Sequence, residues 1–283
     1  MTAALIEFRD VALAFGSQRV LGGLNFQIAR GEILCLVGPS GCGKTTALRV
    51  AAGLIEPTAG EARFAGASIK GPRRDVAVVF QDYAKALLPW RTAEGNVSLA
   101  LEALHVPRGE RRERIAALLQ RVGLSGQQSK YPTQMSGGMQ QRLQIARCLA
   151  QEPAALMMDE PFGALDAMTR QALQDQMLEI ARATGATILF VTHDLEEAIY
   201  LGDRVIGLAP HPGRIGIELK VDLPRPRDQV STRESPAFLA LRRKLYDFIH
   251  GVEASAAPTE SVLIGELEST QNEALPSPLV GEG

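Results

Sequence analysis

The stretch Gly38-Pro-Ser-Gly-Cys-Gly-Lys-Thr45 has the spacing G-x-x-x-x-G-K-[ST] and lies between the apolar run ILCLV (33–37) and a helical pattern, TTALRVAAGL. Glycines at 38, 41 and 43 let the backbone bend so that successive N–H groups converge on one concavity and receive phosphate oxygens. Pro39, Ser40 and Cys42 fill the intervening positions, and Thr46 follows in the first helical turn. Lys44 supplies a point charge to β and γ phosphates, and the Thr45 hydroxyl is a Mg²⁺ ligand. The same spacing arises by chance in unrelated chains; a strand before it and a helix after it set this copy apart.

A second cluster lies about 120 residues on, where Ala154-Ala-Leu-Met-Met-Asp-Glu-Pro161 ends an apolar run in two adjacent carboxylates. Charges at a buried strand end are costly unless compensated, and beside a phosphate loop the compensation is Mg²⁺, held by Asp159. Strand alternation then turns Glu160 the other way, toward an attacking water for which it can act as general base. An Asp-Glu pair before proline is otherwise an ordinary exposed turn. His193 follows the run TILFV, where a neutral imidazole can bridge a γ-phosphate and Glu160, although a lone histidine is more often structural. Gln81 follows VAVVF and can contact Mg²⁺ or the water without adding charge; the plain alternative is a turn residue. Finally, Ser136 is a candidate N-cap, and Gly137 and Gly138 leave N–H groups bare at the positive end of a helix over 139–151, a second place suited to an anion.

The elements that must position these groups are legible as periodicity. The runs ILCLV (33–37), VAVVF (76–80), 156–158 and TILFV (187–191) are short and unalternating, as strands buried on both faces of a parallel sheet are. Helical patterns fall at 111–122, 139–151, 167–184 and 195–201, so the chain reads as α/β with a mostly parallel sheet. Residues 6–15 and 20–28 alternate and read as an N-terminal antiparallel β subdomain. Between 83 and 151 strand signals vanish, which reads as an inserted helical subdomain at about 84–151. The segment 251–283 is rich in Ser, Glu, Ala, Gly and Pro and reads as a disordered tail.

Composition narrows the function classes. Thirty basic and 32 acidic residues leave a net charge of −2, so no global field draws nucleic acid or anionic lipid. Three cysteines without C-x-x-C spacing read as reduced thiols rather than a zinc or redox centre. The N-terminus reads as neither signal nor transit peptide, and the apolar runs fall far below the roughly 18 residues of a membrane-spanning helix. Any membrane role then runs through a partner.

In order along the chain, Phe15, the loop 38–45, Gln81, SGG (136–138), Asp159-Glu160, the loop Gly163-Ala-Leu-Asp166 and His193 resemble the ATP-binding cassette (ABC) ATPases over about residues 4–220. The resemblance implies a P-loop NTPase core within a nucleotide-binding domain at 1–250, with ATP and Mg²⁺ bound. In that family two domains pack head to tail, each ATP lying between the phosphate loop of one and the signature helix of the other. Ser136, Gly137 and Gly138 would thus hold the γ-phosphate bound by another copy's Lys44, Asp166 would link the two sites, and Phe15 would stack on adenine unless it is a core aromatic. Thr45, Gln81 and Asp159 would serve Mg²⁺; Glu160, His193 and Gln81 would serve hydrolysis. Met139 stands where the family pattern LSGGQ has glutamine. SGGM followed by Gln-Gln-Arg142, with Leu87-Leu-Pro-Trp90 and 221–227 (VDLPRPR), is similar to the subgroup that imports nitrate, sulfonates, taurine and related compounds. That subgroup implies a homodimer at the cytoplasmic face of the inner membrane, peripheral through integral permease subunits, with an extracytoplasmic solute-binding protein as indirect partner and no nucleic acid. The permease groove would lie around 83–96, and Trp90 is either part of it or a packing residue. The competing classes are an exporter subunit and a soluble ABC-type ATPase without transport.

Overall fold

In the computed structural model, which describes residues 4–163 and 165–256, the chain opens with two antiparallel strands, β1 (Ala4–Phe15) and β2 (Gln18–Ala29). Ile6, Phe8, Val11 and Leu13 are buried while Arg9 and Asp10 are exposed. A register shift between Phe8 and Val11 puts Asp10 in a left-handed conformation, and Asn25 ties it down by accepting from its N–H (2.8 Å) and donating to its carboxylate (2.6 Å).

The chain continues through β3 (Ile33–Val37), α1 (Lys44–Ala51), β4 (Ala59–Phe64), β5 (Ala67–Ser68) and β6 (Val76–Val79). Helices α2 (Tyr83–Ala86), α3 (Ala93–Ala103), α4 (Arg108–Arg121) and α5 (Gly137–Leu149) follow. Then come β7 (Ala155–Asp159), α6 (Ala167–Thr184), β8 (Thr187–Val191), α7 (Leu195–Leu201), β9 (Arg204–Ala209), β10 (Arg214–Lys220), α8 (Ser231–Glu234) and α9 (Pro236–Ala256).

Two sheets result. The N-terminal one has the order β2-β1-β4-β5 and is antiparallel; the second has the order β10-β9-β3-β8-β7-β6, parallel except for the edge strand β10. The unalternating apolar runs are explained by burial on both faces. Ile33, Cys35 and Val37 of β3 join a core with Phe162 of the turn after β7 and the helix residues Tyr200 and Phe238, while Leu34 and Leu36 face the other way, into a core shared with α1 and the N-terminal sheet. Helices α2 to α5 all fall between β6 and β7.

The long helix α9 crosses the anticipated boundary at 250 and continues to Ala256, so residues 251–256 are helical rather than the start of a tail. Its inward stripe of Phe238, Leu241 and Leu245 joins the core, and that packing holds a segment whose composition alone reads as weakly structured. The remaining part of that expectation, residues 257–283, lies outside the described residues.

Candidate functional site

Because β3, β6, β7 and β8 run parallel, the residues that follow each of them gather along one edge of the sheet, where ligands of open α/β folds bind. After β3 the loop turns with positive φ at Gly38 (152°), Gly41 (78°) and Gly43 (97°). At Gly38 a Cβ would come within 2.6 Å of the Leu208 carbonyl oxygen, and at Gly43 within 2.6 Å of a Leu21 methyl carbon, so only glycine fits either place. Gly43 is also the N-cap of α1 and has no side chain with which to cap it. The first N–H groups of that helix therefore stay available to an anion.

Lys44 is buried, and its ammonium donates to the carbonyl oxygens of Gly38 (2.6 Å) and Pro39 (3.0 Å). A buried cation held by neutral groups, in a cradle that a Cβ would fill, is chemistry matched to phosphate. Next along α1, the Thr45 hydroxyl donates to Asp159 Oδ1 at 2.8 Å. Burial pushes the Asp159 carboxyl above its ordinary range, with the Thr45 hydrogen bond opposing it and the neighbouring Glu160 charge adding to it. A divalent cation would offset that cost. Two protein oxygens suit Mg²⁺, which keeps waters and takes its remaining ligands from phosphate.

Glu160 reaches the edge differently from the simple alternation expected of a strand. The strand β7 ends at Asp159, and Glu160 takes a left-handed conformation (φ 44°) while its N–H donates to the Val191 carbonyl at 2.9 Å. The strand is broken there and the following proline cannot donate to the sheet, so a local backbone twist aims this carboxylate. Gln81 Nε2 lies 3.4 Å and His193 Nδ1 3.3 Å from the same oxygen, Glu160 Oε2. Two residues from separate strand ends thus converge on a carboxylate oxygen carried at a third.

Phe15 is 55% exposed at the end of β1, so it is not a core aromatic. The hairpin that carries it adjoins the phosphate loop, since Val20 and Leu21 of β2 are the neighbours of Gly43. Ser136 caps α5 by accepting from the Met139 N–H at 3.4 Å, with Gly137 and Gly138 in the first turn. Met139, where the family pattern has glutamine, is half-buried against the core. Asp166 caps α6 by accepting from the Thr169 N–H at 3.0 Å, and that residue's side chain and backbone hydrogen bonds hold the Asp166 carboxyl below its usual range. The Thr169 methyl is in turn the nearest group that a Cβ on Gly138 would meet, so Ser136–Gly138 and Asp166 are neighbours. Among the described residues no hydrogen bond or ion pair joins them to Lys44, Thr45, Asp159 or Glu160. The helix starts at Gly43 and at Ser136 are thus two places whose backbone N–H groups suit an anion.

One contributor escaped the sequence reading. Gly213, in the turn from β9 to β10, donates to Val20 O (2.8 Å) and accepts from the Gly22 N–H (2.9 Å). A Cβ there would fall inside van der Waals contact with the Cys42 carbonyl oxygen. The only sequence signal is Pro212-Gly213, which marks a turn without saying what it touches. Because this turn braces the phosphate loop from outside, Gly213→Ala is expected to weaken nucleotide binding about tenfold or more, since overpacking costs about 1–3 kcal/mol and 1.4 kcal/mol is tenfold. Titration with a fluorescent nucleotide, alongside a thermal melt to show that the fold persists, checks this; unchanged affinity would refute the brace.

Residues 21–163 match the family described as ABC transporter. The chain is 43% identical over 256 residues to the aliphatic sulfonates import ATP-binding protein SsuB 2 of Burkholderia lata, covering 90% of each chain. It is 42% identical over 238 residues to the bicarbonate transport ATP-binding protein CmpD of Synechococcus elongatus, covering 83% of this chain and 85% of that one. Among solved structures, a dimeric ATP-binding cassette in a post-hydrolysis state, bound to ADP and Pi, superposes with a TM-score of 0.66 at 31% identity, covering 76% of this chain and 98% of that one.

Proposed function

The chain belongs to the ABC transporter family as an ATP-binding ATPase, and from that premise we propose that it powers an importer of a small compound through a separate membrane permease. The proposal rests on the convergence of Gln81 and His193 on Glu160 beside the Thr45–Asp159 pair, with the Ser136–Gly138 cradle set apart from both. Within a domain that runs through α9, with residues about 84–151 as its helical subdomain, the loop 38–45 holds the triphosphate and Lys44 exchanges its two carbonyl partners for phosphate oxygens. A Mg²⁺ held by Thr45 and Asp159, with Gln81 alongside, would neutralise charge on the phosphates. Glu160 takes a proton from the attacking water, and His193 keeps the carboxylate in place. Two copies close head to tail, so that Ser136, Gly137 and Gly138 of one complete the site of the other while Asp166 couples the two. Phe15 receives the adenine face.

Relatives named for sulfonate and bicarbonate transport support import of a sulfonate, nitrate, taurine or similar small solute. None of the described helices is long and apolar enough to cross a membrane, so attachment to its cytoplasmic face is assigned to the permease. An apolar groove of about 440 Å³ runs along β6 and α3, lined by Phe80, Leu99 and Leu104, and Trp90 stands 72% exposed on the intervening connection rather than packed. A solvent-facing tryptophan and exposed leucines in one stretch of the chain favour a binding surface, here for a permease helix. Trp90→Ala combined with Leu99→Glu is expected to cut co-purification with the permease about tenfold or more, each lost apolar contact costing about 1.5–3 kcal/mol. The ATPase rate of the isolated chain should stay unchanged. Retained co-purification would remove this surface from the interface, and solute uptake by cells carrying the cognate permease and binding protein tests the importer reading itself.

A further inference from the structure

Helix α9 has two faces, and the one turned outward is unpartnered. Phe238, Leu241 and Leu245 point into the core, while Leu239, Arg242, Arg243, Tyr246 and His250 form an outward stripe at helical spacing. Leu239 is 40% and Tyr246 49% exposed, and the Tyr246 ring lies against His250 with centroids 4.1 Å apart. The stripe borders a shallow groove of about 560 Å³, closed on one side by Glu196 of α7. Arg242 is neutralised by Glu196 at 2.8 Å, but among the described residues Arg243 and Lys244 form no ion pair. The face is therefore apolar at Leu239 and Tyr246 and cationic between them.

The segment that leaves the C-terminal end of this helix has the complementary composition. Residues 257–283 contain five glutamates (Glu260, Glu266, Glu268, Glu273 and Glu282) and no Lys, Arg or His, and the apolar run Val262-Leu-Ile264 with Leu267 sits among the first three. The reach is sufficient. Ala256 lies about 20 Å from Arg243 along the axis at 1.5 Å per residue, whereas the segment from Ala256 to Glu266 spans up to about 33 Å when extended.

We propose that residues 260–268 fold back along the outer face of α9, seating Val262–Ile264 against Tyr246 and placing Glu266 and Glu268 beside Arg243. A second copy of the chain could in principle offer the same segment, but the tether favours the chain's own. It supplies an effective concentration of about 1 mM, so a contact with a dissociation constant near that value is already half formed. Because the docked face belongs to the helix that holds Glu196, and α7 begins just after His193, the segment lies one helix away from the hydrolytic edge.

The test uses the full chain. Cys35, Cys42 and Cys148 are all buried, so Ser269→Cys provides a single accessible thiol for a nitroxide label. An undocked tether broadens amide signals most near its anchor, at 250–256. Docking inverts that profile, so that signals at 239–243 broaden more than those at 250–256. Arg243→Glu should restore the anchor-weighted profile, and adding Glu268→Arg to it should bring the inverted one back. Raising salt, which shortens the screening length from about 10 Å at 0.1 M to about 3 Å at 1 M, should weaken the effect. An anchor-weighted profile in the unmodified background overturns the proposal. So does broadening that appears only when isotope-labelled chains are mixed with separately spin-labelled ones, which assigns the face to a second copy.

Discussion

Glu160→Gln is expected to bind ATP as the unmodified chain does and to lose about 10²–10⁴-fold in turnover, the usual share of a general base. The substitution keeps the shape of the side chain, so the left-handed turn at this position and the bond from its N–H to Val191 should persist. What changes is the oxygen on which Gln81 and His193 converge. A carboxylate offers acceptors only, whereas an amide has one oxygen and an NH₂ that cannot take a proton from water. Phosphate binding should persist because the hydrogen bonds of Lys44 and Thr45 do not involve the Glu160 side chain. A variant that binds without hydrolysing should therefore accumulate in the closed, two-copy state, and its elution should shift from monomer to dimer when Mg-ATP is added. Residual turnover within a few-fold of normal would remove Glu160 from the chemistry. Full loss of turnover with a persistently monomeric elution would instead sink the head-to-tail arrangement while leaving the base assignment standing.

The residues that reveal this site in the sequence are those whose chemistry is local. Spacing alone identifies the glycines of 38–43 because each needs a backbone conformation or an approach that a Cβ forbids, and the structure gives that constraint a partner at Gly38 and Gly43. Strands β3 and β8 are legible with their full bounds because burial on both faces leaves an uninterrupted apolar run. By contrast, β10 alternates exposed and half-buried residues and carries Arg, Glu and Lys, so it lacks the uninterrupted apolar run that marks a doubly buried strand. Gly213 and Asn96 escape for another reason. The significance of Gly213 lies in the Cys42 carbonyl far away in the chain, and Asn96 is fully buried because its amide group binds the backbone of Leu88, Arg91 and Thr92. Such contacts depend on tertiary approach, which periodicity does not encode. Glu160 is the mixed case: its residue type and place are visible, but the twist that aims it is not, since alternation alone would keep it in the strand.

Lys44→Ala should abolish measurable nucleotide binding at concentrations that saturate the unmodified chain. Hydrogen bonds to charged groups contribute about 1.5–3 kcal/mol each, and loss of contacts to two phosphate groups corresponds to roughly 10²–10⁴ in affinity. The fold should tolerate the change. With nothing bound, the ammonium serves only to satisfy the carbonyl oxygens of Gly38 and Pro39, and its removal also removes the desolvation cost of a buried cation. Thermal stability without nucleotide should thus stay near that of the unmodified chain, whereas the stabilisation that ATP confers by binding the folded state should vanish. Lys44→Arg sharpens the test, because it keeps the charge but replaces a compact ammonium with a planar fork. The space around Lys44 Nζ is bounded by two carbonyl oxygens and, at 4.0 Å, by the Cys42 sulfur. A guanidinium should not fit there without moving the loop, so affinity should fall in that variant too. Near-normal binding by Lys44→Arg would mean that charge alone, rather than a point donor in a fitted cradle, holds the phosphates. Near-normal binding by Lys44→Ala would mean that the bare N–H groups of α1 suffice without any side chain.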